Sequence, residues 1–336
     1  MKSLEALLER LISDGTVNNI FVRVGVNDTV VYDAKRSIEN RIDSATVFDM
    51  ASVTKILSTT TLAFIALDKE LFTNETLVSS FFPCADQYKS LAIGHLLTHR
   101  MGIGHKPLND PSVTIDNVAE YILNIPNDTP VGECYAYSCP AFILLGRIIE
   151  KVMGDSLDNL FDSYVAKPLG MMRTSYHPHI TENMINHNPT DDLKGIVNDY
   201  NCRHLGGVTG NAGVFSCIDD MTKYAQMLLK KGYPIISTET FTNATRLHFK
   251  NDVESRALGF VYVDESCWQT GDLFKEGSIG HCGFAGQSVF VDLNSGLYVI
   301  ILSDATSTVT RKFGEVRYEI VKEMRRDIHN AVKLDI

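Results

Sequence analysis

Apolar residues recur along this chain with two periods, and the switches between them outline a fold before any motif is considered. Leu4, Leu7, Leu8, Leu11 and Ile12 follow helical spacing with Glu5, Glu9 and Arg10 between them, which predicts an amphipathic first helix. Residues 20–24 and 29–32 are β-branched and aromatic runs around Gly25, Asn27 and Asp28, as in a hairpin. From 52 to 71 the pattern turns helical, and helical or loop-like segments follow at 94–98, 118–125, 140–153 and 157–165. Ser216 with Asp219 three residues on reads as a capping box. It opens a helix through Met221, Tyr224, Leu228 and Leu229 that Gly232 closes. Strand patterns return at 258–263, and 288–292 joins 297–303 through Asn294, Ser295 and Gly296 as a second hairpin. Phe313, Val316, Ile320, Met324 and Ile328 mark the buried stripe of a final helix.

This order predicts an α+β fold. The two ends of the chain, 1–65 and 233–336, build one sheet with flanking helices, and a mainly helical domain, 66–232, is inserted between them. A length of 336 residues suits one large or two interleaved domains, and 44% hydrophobic with 21% charged residues is an ordinary globular balance. The net charge of −10 repels nucleic acid and anionic lipid, and no basic patch offsets it. The most apolar run, 57–67, is interrupted by Ser58 and three threonines, too polar and too short for a membrane span. The charged residues within the first helix are unlike the apolar centre of a signal peptide, so a cytoplasmic location is expected. The seven cysteines are scattered and include no C-x-x-C pair. They read as reduced thiols rather than a disulfide framework or a zinc site.

Nucleotide-binding and common hydrolase signatures are absent: there is no G-x-S-x-G, H-E-x-x-H, phosphate loop or G-x-G-x-x-G. Two glycine-dense stretches, 206–213 and 280–286, suit turns or close backbone approach. Ser52 and Lys55 stand three residues apart at a helix start, where hydroxyl and amine reach each other and can form a nucleophile and base pair. A lysine in an apolar, partly dehydrated site is expected to lose affinity for its proton and accept the serine's. Free N–H groups at a helix start suit a developing oxyanion. Taken alone, the S-x-x-K spacing is weak and also fits a solvent-facing pair on an ordinary helix.

Asp49-Met50-Ala51-Ser52-Val53-Thr54-Lys55 resembles the nucleophile segment of the serine β-lactamase and penicillin-binding-protein superfamily, in particular its class C and esterase branch. Residues 93–99 (IGHLLTH) resemble that branch's hLLTH segment, 130–139 (PVGECYAYSC) its PG-x-x-F-x-YSN segment, and 280–286 (GHCGFAG) its third motif. The stretch 198–216 resembles a loop found in a subset of these hydrolases. The resemblance implies a β-lactamase/transpeptidase-like fold, an antiparallel sheet flanked by helices plus a helical domain, with the active site between them. It implies a serine hydrolase in which Ser52 forms an acyl-enzyme and Lys55 and Tyr137 share the proton transfers. The backbone N–H groups of Ser52 and of Phe284, the latter expected on an edge strand, would be the oxyanion donors. Cys139, His281, Gly283 and Phe284 would meet a small-molecule ester, amide or peptide substrate, with no cofactor, metal, nucleic acid or membrane partner. His95 and His99 would be structural, and Asp219 and Asp220 a helix cap and surface charge.

Three departures bear on the substrate. Cys139 stands where relatives often carry Asn, and a thiol cannot fork to an amide carbonyl. His281 replaces a lysine, which removes fixed positive charge at neutral pH. Cys282 fills a position that usually offers a hydroxyl. Together they favour an esterase, amidase or peptidase on a small or uncharged acyl group over an efficient β-lactamase. A penicillin-binding protein or weak class C-type β-lactamase is the second reading, and a non-catalytic acyl-binding or regulatory protein the third. Two cysteines at the site would also make it sensitive to oxidation.

Overall fold

A computed structural model describes residues 2–39, 41–181, 183–185, 194–305 and 317–336. After helix α1 (Lys2–Ser13) the chain forms the expected hairpin of β1 (Asn19–Val26) and β2 (Thr29–Ser37). β1 pairs in turn with β10 (Leu297–Ser303), so the sheet is closed by strands from both ends of the chain. β9 (Ser288–Val291) and β8 (Ile279–Cys282) follow, and the short β7 (Val261–Tyr262), β6 (Ser255–Arg256) and β5 (Phe249–Lys250) extend the edge. The order is β2-β1-β10-β9-β8-β7-β6-β5, antiparallel throughout. All seven residues of β10 are buried, which is why that segment reads as a continuous apolar run without alternation.

Each face of the sheet has its own apolar cluster. On one face Leu4, Leu8 and Leu11 of α1 meet Val22, Val24, Val299 and Ile301 of the sheet and Met324, Ile328 and Val332 of the last helix, α10 (Arg317–Asp335). On the other, Phe21, Val289, Val291, Ile300 and Leu302 join a larger cluster. It runs through α8 (Ile218–Leu229) to Ile56, Leu57 and α5 (Cys139–Met153). The segment bearing Ser52 and Lys55 therefore lies in the core between sheet and helices, and α1 and α10 brace the sheet from behind. Among the described residues no helix is long and apolar enough to cross a membrane.

The local structure corrects several expectations. Residues 52–71 are not one α-helix: a 3₁₀ turn (Ala51–Val53) and a π-helical segment (Lys55–Thr60) precede α2 (Thr61–Asp68). Cys217, not Ser216, caps α8. The Ser216 hydroxyl is engaged with Thr174 Oγ1 at 2.8 Å. Asp219 is half-exposed in the first turn of α8, whereas Asp220 is not a surface charge. Asp219 holds the buried Arg23 guanidinium at 2.7 Å together with Asp33, and Asp220 is buried and accepts from the Arg173 backbone N–H at 2.7 Å. Only Val261 and Tyr262 of the 258–263 run are strand, because Leu258 and Phe260 turn into the core instead. The polar helix α9 (Thr238–Thr245) has no apolar stripe to announce it; it starts where Ser237 accepts from Thr240 N at 3.1 Å. Phe313 and Val316 of the expected last-helix stripe lie outside the described residues, whereas Met324 and Ile328 are buried as expected.

Leu8 sits in the cluster on the far side of the sheet from Ser52, so Leu8→Ala should remove about 3 kcal/mol of stability while leaving kcat within about twofold. Urea unfolding alongside a rate assay checks both. A loss of rate without a loss of stability would show that this face is coupled to the site.

Candidate active site

The two-stranded pairing of β3 (Phe48–Asp49) with β4 (Phe215–Ser216) delivers the chain to Ser52. Between them Ala51 has φ +46°, left-handed backbone that a residue with a Cβ seldom adopts, and it turns the following serine toward open space. Asp49 holds this turn: its carboxylate accepts from the N–H groups of Ala51 and Asn198, both at 2.8 Å. Burial pushes the Asp49 carboxyl up to about 6, with those N–H donors pulling the other way. Ser52 is half-buried and lines a cleft of about 320 Å³.

Lys55 lies beneath Ser52, fully buried, with three acceptors besides the Tyr137 hydroxyl around its ammonium. Ser52 Oγ is at 3.0 Å, the Asn211 backbone carbonyl at 3.1 Å and Cys139 Sγ at 3.6 Å. The ring centroids of Tyr137 and Phe142 lie 5.0 and 5.7 Å from the same nitrogen. Burial works against the ammonium, but Cys139 and Tyr137 outweigh it and raise the proton affinity of Lys55. The direction is opposite to the one dehydration alone would give. The site is dehydrated as expected, yet it is lined with acceptors rather than hydrocarbon. Asn211 is a contributor that sequence reading missed. The signal lay in the glycine-dense stretch before it, since a Cβ at Gly210 would collide with the Phe142 carbonyl oxygen.

Tyr137 reaches the site just before α5. Ser138 caps that helix by accepting from Ala141 N at 3.2 Å, and Cys139 occupies its first turn. Burial raises the Tyr137 phenol, partly opposed by the Lys55 charge and by hydrogen bonds with Lys55 and Ser52. His99 stacks on it at 4.6 Å between ring centroids and accepts the Ser138 N–H at 3.0 Å through Nδ1. His99 is buried, with a proton affinity well below the histidine norm and φ +56°. His95 Nδ1 accepts from Ala92 N at 3.2 Å. Cys139 is buried and its thiol is raised by burial.

β8 carries the third motif to the other wall. His281 Nδ1 donates to the Cys282 carbonyl at 2.9 Å, which leaves Nε2 as the bare acceptor; burial holds the ring neutral. Cys282 donates to Gln269 Oε1 at 3.3 Å. β8 is an interior strand, and Phe284 lies in the turn after it rather than on an edge strand. Gly283 packs so closely that a Cβ there would sit 2.6 Å from Gln287 Oε1 and 2.9 Å from the Met50 carbonyl oxygen, which seats the turn against the nucleophile segment.

The cleft joins Ser52, Tyr137, His281, Gly283 and Phe284, with Cys139 just beneath through Lys55. Its wall also holds Arg256, Lys322 and Arg325, with Glu254 among them, and Lys322 Nζ lies 3.0 Å from Glu319 Oε1. Glu254 is 3.2 Å from Arg256 Nη1. These cations belong to none of the motifs, so only the fold reveals them. No group of side chains able to hold a metal ion occurs among the described residues.

The model of the family described as "Beta-lactamase" matches residues 4–320. The N-acetylmuramyl-L-alanine amidase of Bacillus subtilis is 28% identical over 312 residues, covering 80% of this chain and 70% of that protein. A putative D-alanyl-D-alanine carboxypeptidase of Salmonella typhi is 27% identical, covering 79% and 70%. Among solved structures, a class C beta lactamase from Rhodobacter sphaeroides superposes with a TM-score of 0.77 at 16% identity, over 99% of this chain and all of that one, which shows a shared fold.

Proposed function

The chain belongs to the beta-lactamase family, and we propose that it is a serine hydrolase that cleaves a small-molecule ester, amide or peptide through an acyl-enzyme on Ser52. One observation carries this reading: a buried ammonium 3.0 Å from the Ser52 hydroxyl, at the floor of a cleft that the Tyr137 ring also lines. Lys55 stays charged and acts by its field. It lowers the cost of ionising Tyr137, whose phenolate takes the Ser52 proton as Oγ attacks the substrate carbonyl. Tyr137 then protonates the leaving group, and the same groups in reverse activate the water that releases the acyl chain. The N–H groups of Ser52 and Phe284 face the carbonyl oxygen as its charge develops.

The wall of Arg256, Lys322 and Arg325 favours substrates bearing a negative group, in place of the small or uncharged acyl group expected from Cys139, His281 and Cys282 together. His281 is neutral, as expected, but the missing lysine charge is replaced from other elements. Recognition of a carboxylate would also suit a penicillin-binding protein, so fluorescent penicillin labelling is informative. The seven free cysteines suit a reducing compartment, and we place the protein in the cytoplasm.

Stopped-flow hydrolysis of p-nitrophenyl acetate should show a burst and an acetyl adduct by intact mass, both lost in Ser52→Ala. Hydrolysis that survives unchanged in Ser52→Ala would sink the proposal. The mono-p-nitrophenyl ester of succinate should be preferred over the acetate by about tenfold in kcat/KM at low salt, the advantage shrinking as salt screens the cleft. Equal rates for the two esters would remove the anionic substrate class. A base acts only when unprotonated, and Tyr137 is raised above the ordinary tyrosine range. The acylation rate should therefore climb with pH into the alkaline range, and Tyr137→Phe should abolish that climb. A plateau from pH 7 upward would assign the base elsewhere.

A further inference from the structure

We propose that Arg325 and Gln287 are positioning residues that clamp the Gly283–Phe284 peptide and thereby aim the Phe284 N–H at the substrate's carbonyl oxygen. The inference rests on the proposed Ser52 acyl-enzyme and adds the means by which its oxyanion site is held.

In a trans peptide the carbonyl and the N–H of one unit point in opposite directions, so a group that fixes one fixes the other. Arg325 reaches from α10 through the sheet's rear layer and donates from Nη1 to the Gly283 carbonyl at 2.8 Å. That bond is buried and charge-assisted. Drawing density toward the oxygen also makes the N–H across the same amide a stronger donor. Gly283 N donates to the Gln287 carbonyl at 2.7 Å, and Ala285 N donates to Gln287 Oε1 at 3.1 Å, so both flanks of the peptide are tied to one residue.

Gln287 does a second thing that no motif requires. Its Nε2 crosses to the Asp49 carbonyl at 2.6 Å, on the strand that leads into Ser52, and also lies 3.3 Å from the Ser303 carbonyl of β10. A single fully buried carboxamide thus bridges the turn bearing Phe284 and the segment bearing Ser52. The two oxyanion donors come from distant parts of the chain, and this bridge sets the spacing between them. Such alignment matters in the transition state, when charge builds on the oxygen, far more than in the ground state.

The test uses full-length wild type, Arg325→Met, Gln287→Met, Arg325→Lys and Ser52→Ala with the uncharged p-nitrophenyl acetate and the mono-p-nitrophenyl ester of succinate, together with binding of phenylboronic acid, which forms a tetrahedral adduct on a serine nucleophile. Both Met variants should lose about 10- to 100-fold in kcat with KM within about twofold. Phenylboronic acid affinity should fall in parallel, and Arg325→Lys, which keeps a charged donor, should recover most of both. If a Met variant melts below the assay temperature, Arg325→Gln and Gln287→Asn carry the same comparison at partial effect. Unchanged kcat with a raised KM confined to the succinate ester would make Arg325 an anion binder and overturn the clamp. So would a kcat loss with boronic acid binding intact. A wild type without Ser52-dependent turnover would overturn the acyl-enzyme reading and the clamp with it, whereas the preceding outcomes overturn the clamp alone.

Discussion

The structure of the site depends on one buried positive charge. An ammonium out of water costs several kcal/mol unless its protons are satisfied, and Lys55 satisfies them with Ser52, Cys139 and the Asn211 carbonyl. Those acceptors come from three separated stretches of chain, so the fold must bring all three together before the charge is tolerable. The same need explains why the loop before Asn211 packs so tightly on α5 that Gly210 leaves no room for a Cβ. It also supports the proposed division of labour, in which a lysine held charged by its surroundings tunes Tyr137.

Much of this was legible in the sequence where local chemistry decides the outcome. The 52/55 spacing put hydroxyl and amine together, the two hairpins formed, and the phrases around Tyr137 and His281 marked residues that the fold brings to one cleft. What stayed hidden is set by tertiary contact. The proton affinity of Lys55 depends on acceptors 84 and 156 residues away, which no window around Lys55 contains. Arg256, Lys322 and Arg325 carry no motif, and their convergence on the cleft follows from strand order and from α10 lying behind the sheet. The cap at 217 was misplaced by one residue because Ser216 has a stronger use in its bond to Thr174. The assignment of 258–263 to a strand ran too long because burial, not pairing, accounts for Leu258 and Phe260.

Electrostatic replacement links the motif changes to the rest of the molecule. Burial holds His281 neutral, and the charges of Arg256, Lys55 and Arg325 act in the same direction, so the charge absent from the motif is present in its neighbours and adds to the suppression of histidine protonation. The cleft can thus keep a positive field while its third-motif side chain offers a lone pair. A reading that considers the motif alone counts a lost cation; a reading that includes the wall finds the field displaced deeper, toward the sheet and α10.

Strain is concentrated where the elements meet. Ala51 and His99, both with side chains and both left-handed, flank Ser52 and the Tyr137 loop respectively. Each such residue costs on the order of 1–3 kcal/mol, and each is held by bonds that a relaxed backbone would break. Asp49 secures the first through the Ala51 and Asn198 N–H groups. His99 secures the second through the Ser138 N–H and its own carbonyl, which accepts from Ala136 N at 2.9 Å. These two tethers place Ser52 and Tyr137 on rigid supports rather than on free loops, and Gln287 ties the third wall to the first. A site assembled from three distant segments can hold sub-ångström geometry only if each segment is fixed to its neighbours as well as to the core, and here the hydrogen bonds that do so are buried.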